Sequence, residues 1–160
     1  MQRVVFLMSS LLGVLLLAGC ATTPPQTAEA RQQAEEEIDT ILNQPLNEEE
    51  YGKSVRCLPT LSYNSVEILD DQRLVFKGVG NRWWLNQLRN RCPGLRPRDT
   101  LRFDLTSSRL CEMDQVTAID RFFYFWERTS ATCMLGKFEP VTEDQVAAIK
   151  AALARAKESR

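Results

Sequence analysis

Five cysteines are the residues best equipped for chemistry in this 160-residue chain, and it contains no histidine to activate them. Without an imidazole, neither a Ser–His nor a Cys–His catalytic pair can be assembled, and a His-ligated metal centre is excluded. Cys57, Cys92, Cys111 and Cys133 are separated by 35, 19 and 22 residues. None belongs to a C-x-x-C pair, so the knuckles of a zinc site and the motif of a thioredoxin-like redox centre are both missing. No metal and no cofactor are expected. An even number of cysteines in a short stretch points instead to two disulfides formed in an oxidising compartment. Three pairings are open. Loop length favours Cys57–Cys92 with Cys111–Cys133, because these close shorter loops.

The fifth cysteine has a different setting. Arg3 precedes an apolar run from Val4 to Leu17, interrupted only by Ser9, Ser10 and Gly13. A bilayer core needs roughly 20 helical residues, so the run is too short to span it and reads as the core of an export signal. It ends in Leu17-Ala18-Gly19-Cys20, which resembles a bacterial lipobox. The resemblance implies cleavage after Gly19 and a diacylglycerol on the Cys20 thiol. Small residues admit the peptidase, and a thiol is the best side-chain nucleophile for lipid transfer. Residues 1–19 are thus expected to be a lipoprotein signal peptide, with 20–50 an anchor, tether and acidic spacer. Ala21 follows the cysteine where an Asp would mark inner-membrane retention in enteric bacteria. The expected location is therefore the outer membrane, facing the periplasm, with the membrane as partner through the N-terminal lipid.

Charge is segregated along the chain, although the formal net charge is only −1. That balance excludes a generally basic nucleic-acid binder. Residues 29–50 hold eight acids and one Arg. Ala30, Ala34, Ile38, Ile41 and Leu42 form a thin helical stripe there, which could dock on the domain or a partner. The expectation is nonetheless a solvated acidic spacer with transient helix. The sign then reverses. Arg82, Arg89, Arg91, Arg96, Arg98 and Arg102 lie within 21 residues that contain a single acid, Asp99. Guanidinium groups pair bidentately with phosphate or carboxylate, so these six could bind lipopolysaccharide or peptidoglycan. The plainer reading is a solvated face that pairs with residues 29–50. A second unusual run, Phe122-Phe123-Tyr124-Phe125-Trp126, cannot place every ring on one side of a strand. Tyr124 or Trp126 could then touch membrane, glycan or an envelope protein, with core packing the favoured alternative. Asp70, Asp71, Asp99, Glu112, Asp114 and Asp120 lie near turns. A carboxylate pair among them could hydrolyse a glycoside, but Asp70-Asp71 reads better as a hairpin turn.

The elements that must position these groups follow a short-strand pattern. Tyr63–Leu69, Arg73–Val79, Arg82–Leu88, Leu101–Leu105, Arg109–Met113, Val116–Asp120 and Cys133–Val141 read as strands joined by turns such as Asp70-Asp71-Gln72 and Gly80-Asn81. Residues 142–158 read as a C-terminal helix. Thr142 and Gln145 make a capping-box pattern, and Val146, Ile149, Leu153 and Ala156 share one face. The fold expected is α+β and mainly β: a small antiparallel meander or partly open barrel over 51–141, stapled by disulfides, with the helix packed on it.

Arg56-Cys57, Leu69-Asp70-Asp71, Trp84-Leu85-Asn86-Gln87-Leu88, Arg91-Cys92-Pro93-Gly94-Leu95, Leu110-Cys111 with Asp114, and Cys133–Phe138 occur in that order. Together they resemble a domain-of-unknown-function family of small four-cysteine proteobacterial lipoproteins. The likeness covers about 55–140 and departs at 122–128, where a Gly-rich loop would be expected. It implies an exported β-rich domain with no assigned activity and no functional residues to carry over. The expectation is therefore a non-enzymatic structural or interaction module. An anion-binding module comes next and a hydrolase last.

Overall fold

Residues 26–105, 107–120, 127, 128 and 130–158 are described in a computed structural model of the chain. Cys20, and the aromatic run with Tyr124 and Trp126, lie outside the described residues. The chain opens with α1 (Gln26–Leu42) and a single turn, α2 (Glu48–Tyr51). Ten strands follow: β1 (Cys57–Pro59), β2 (Tyr63–Ile68), β3 (Arg73–Gly78), β4 (Trp83–Gln87), β5 (Thr100–Asp104), β6 (Arg109–Cys111), β7 (Gln115–Asp120), β8 (Glu127–Arg128), β9 (Cys133–Met134) and β10 (Phe138–Val141). α3 (Glu143–Glu158) closes the fold.

Every pairing among the described strands is antiparallel. The main sheet has the order β10-β4-β3-β2, the second sheet β5-β7-β8 with β9 added on β7, and β1 pairs with β6. No closed barrel forms among the described residues. The fold is α+β and mainly β, with the C-terminal helix in place. Its capping box is complete: the Gln145 amide donates to Thr142 Oγ1, and the Thr142 amide donates to Gln145 Oε1, both at 3.0 Å.

The main sheet is buried on both faces. Leu74 and Phe76 point one way, into a core with Leu58, Leu110, Val116 and Phe138. Val75 and Leu85 point the other way, against Ile38, Ile41, Val146 and Ile149 of the two long helices. Period-2 geometry assigns alternate residues of β3 to the two layers. The run Arg73–Phe76 is therefore buried throughout.

Three expectations are corrected. Residues 29–42 do not form a solvated spacer, although 43–50 stay largely exposed: α1 buries Ala34, Ile38 and Ile41 against α3 and the sheet. Burying the two isoleucines stabilises this docking by about 1.5–3 kcal/mol each. The acids did not prevent it because they occupy the rest of the helix surface, where Glu37 accepts from Arg155 at 2.6 Å. The disulfides are Cys57–Cys111 and Cys92–Cys133. Shorter loops proved a weak guide, since doubling a loop changes closure entropy by only about 0.6 kcal/mol. Strand register outweighs that, and β1–β6 pairing sets Cys57 directly opposite Cys111. Finally, Cys133–Val141 is two strands. β9 belongs to the second sheet and β10 to the main one, so the chain crosses between layers at Leu135–Lys137.

Candidate functional site

Asp70 and Asp71 do form the expected β2–β3 turn. Asp70 Oδ1 accepts from the amides of Gln72 at 2.8 Å and Arg73 at 2.7 Å, which fixes the reversal. The turn also aims both carboxylates sideways at arginines. Arg73, the first residue of β3, is only 1% exposed and lies on the helix side of the sheet. Its Nη1 donates to Asp70 Oδ2 at 2.6 Å, and its Nη2 donates to Glu35 Oε2 of α1. Arg91 completes the chain of charges, donating to Asp71 Oδ1 and Glu35 Oε1, both at 2.6 Å. Glu35 is thus clasped by two guanidinium groups. Burial pushes its pKa up, but the hydrogen bonds and charges of Arg73 and Arg91 outweigh that and hold it below the ordinary carboxylate value. Burial also opposes the Arg73 charge, yet Glu35 and Asp70 leave its pKa raised. Arg73 Nε is buried with no partner among the described residues.

Glu35, Asp70, Asp71 and Arg91 of this network line one side of an open cleft of about 280 Å³ between α1, the C-terminal end of α3 and the loop after β4, with Arg73 buried behind them. The other walls are apolar, with Leu69, Leu95 and Leu153. Arg31 and Lys157 stand at its rim, both exposed.

The six arginines that could have formed an anion site do not converge. Arg91 is committed to the clasp. Arg89 reaches Glu112, which Arg56 also holds. Arg102 pairs with Asp104 on its own strand. Arg82 follows the β3–β4 turn, at the far end of β4 from Arg91. Arg96 and Arg98 are exposed in the loop before β5, where the Arg96 amide and Asp99 Oδ2 form a turn. Pairing with residues 29–50, the plainer reading, occurs once, through Arg91 and Glu35.

Among the acids near turns, Asp114 caps the Cys111 amide at 2.7 Å. The Asp120 side chain lies outside the described residues. No group of three or more potential metal ligands exists among the described residues. No described helix is long and apolar enough to cross a membrane.

Sequence reasoning passed over Arg73, Glu35 and Asn86. Arg73 had a signal: a lone cation preceding Leu74-Val75-Phe76 beside two aspartates. Glu35 had none, being one of three consecutive glutamates. Asn86 is fully buried, donating to the Gly136 carbonyl at 2.8 Å and accepting from its amide at 3.0 Å. That pair clamps the crossing between the sheets. A Cβ on Gly136 would collide with the Gln87 carbonyl, so only glycine fits there.

A model for a family of unknown function, DUF6491, matches residues 3–157. The chain belongs to this family. No curated protein and no solved structure matches it. The DUF6491 match includes α1 and the cleft as well as the cysteine-bearing sheets, and so takes in more of the chain than the likeness over 55–140.

Proposed function

We infer that this DUF6491 chain is a bacterial lipoprotein, anchored through Cys20 to the outer membrane and facing the periplasm, whose disulfide-stapled domain is a non-enzymatic interaction module. The observation that carries the reading is the commitment of the polar groups around the cleft. Glu35, Asp70 and Asp71 all engage arginines, and the four core cysteines are oxidised in pairs. Side chains so engaged favour recognition over proton transfer or nucleophilic attack. Two disulfides also suit an oxidising compartment.

The test is metabolic labelling with radioactive palmitate in cells. The native chain takes up label and fractionates with outer membrane, whereas Cys20→Ser is unlabelled and keeps its signal. Label retained by the Cys20→Ser chain would refute anchoring at this residue.

The anion-binding alternative narrows to a different set of residues. With three of the six arginines neutralised in ion pairs, the cations best placed beside an apolar surface are Arg31 and Lys157.

A further inference from the structure

We propose that the cleft between α1 and the end of α3 binds one acyl chain of a phospholipid with an anionic head. The proposal rests on the membrane-anchored reading for the source of its ligand. Its chemistry is read from the cleft. Leu69, Leu95 and Leu153 offer an apolar trough, while Arg31 and Lys157 at its rim form no ion pair with the described residues. The three carboxylates beside them are already occupied by Arg73 and Arg91, so the rim cations are the charges left to meet a ligand. The lining carries three cations and three carboxylates, and Arg73, buried behind Glu35 and Asp70, tips the local balance to positive, which favours an anion over a zwitterion or a cation. An apolar trough crowned by long basic side chains is the arrangement in which aliphatic stems cover a chain while the charged heads meet phosphate. At about 280 Å³ the cleft lies just below the usual range of small-molecule sites, a size that takes a length of one acyl chain rather than several side by side.

Position supports the same ligand. Arg31 is five residues into α1, about 8 Å from the helix start. Cys20 is six residues before Gln26, a stretch that can span at most about 20 Å. A lipid on Cys20 therefore keeps the cleft within about 30 Å of the bilayer surface. The opposite end of the main sheet, where Leu61 is 91% exposed, has no comparable tie.

The experiment uses the full chain reconstituted in phosphatidylcholine nanodiscs. These are doped with a single-chain phosphatidylglycerol or phosphatidylcholine that carries a photoactivatable group on the acyl chain. After irradiation, crosslinks are mapped by peptide mass spectrometry. The anionic probe should label the segments around Leu95 and Leu153 and exceed the zwitterionic one by about fivefold, the value of two part-exposed charge contacts. Arg31→Gln with Lys157→Gln should remove that preference at unchanged melting temperature. Leu153→Trp, which fills the trough and keeps the rim charges, should abolish labelling near Leu95; it also carries the test if the double variant fails to fold. Equal labelling by both probes, or labelling centred on Leu61, would overturn the proposal. So would loss of labelling under excess inorganic phosphate, which would make the site one for a free anion. A chain that never enters the nanodisc counts against the membrane-anchored reading, whereas one that enters unlabelled counts against the cleft alone.

Discussion

The two faces of the main sheet both pack against a core but are held by different forces. One packs on the second sheet through Phe76, whose ring centroid lies 6.0 Å from that of Phe103 on β5, and is closed by two disulfides and the Asn86–Gly136 clamp. The other packs on α1 and α3 through aliphatic residues and is closed by the Arg73–Glu35–Arg91 clasp. Covalent links and buried neutral hydrogen bonds depend little on pH or salt, while a carboxylate held by guanidinium groups depends on both. The sheet-facing side is thus built to persist. The helix-facing side, which bears the cleft, is the one that conditions can loosen.

Breaking the covalent side should have the largest effect. The bridges close loops of 54 and 41 residues, and each loop constraint is worth about 4 kcal/mol on chain-entropy arithmetic. Cys92→Ala with Cys133→Ala should lower unfolding free energy in urea by about that amount. A loss under about 1 kcal/mol would mean that the Cys92–Cys133 bridge adds little to the sheet side. Asn86→Ala comes next. It strands the buried amide and carbonyl of Gly136, at a cost of about 2–4 kcal/mol by the same measurement.

On the helix side, Arg73→Ala leaves Glu35 and Asp70 without their shared partner. Both carboxylates keep some contact with water, so the expected loss is about 2–3 kcal/mol, below that for a fully buried pair. Hydrogen exchange should show it falling on α1 before the second sheet. Protection lost equally from both layers would contradict the distinction between the faces.

The smallest effect is acid sensitivity. Glu35 has a folded-state pKa below its ordinary value. Its stabilisation is complete above the unfolded carboxyl pKa of about 4.3 and is lost as pH falls through the lower folded value. Helix docking should therefore weaken below about pH 4. Glu35→Gln should flatten that part of the stability–pH curve, as followed by circular dichroism. An unchanged curve would remove Glu35 as its cause.

Local pattern was enough for much of this fold. Alternation placed β2, β3 and β5, Asp70-Asp71 placed a turn, and Thr142 with Gln145 placed the start of α3, because each depends on residues within a few positions of one another. That the cysteines form two disulfides also followed from their number and the expected compartment. Partners distant in the chain were decided by tertiary structure. Which cysteines meet was set by strand register. The docking of α1 depended on an apolar face of α3 more than 100 residues away, as the Gln145–Ile41 hydrogen bond shows. Glu35 became the centre of the cleft only when α1 carried it to Arg73 and Arg91, 38 and 56 residues further on. A charge pattern counts how many acids and bases lie in a segment. Which of them meet, and which are left at a rim to meet a ligand, depends on burial and distance, and those exist only in the folded chain.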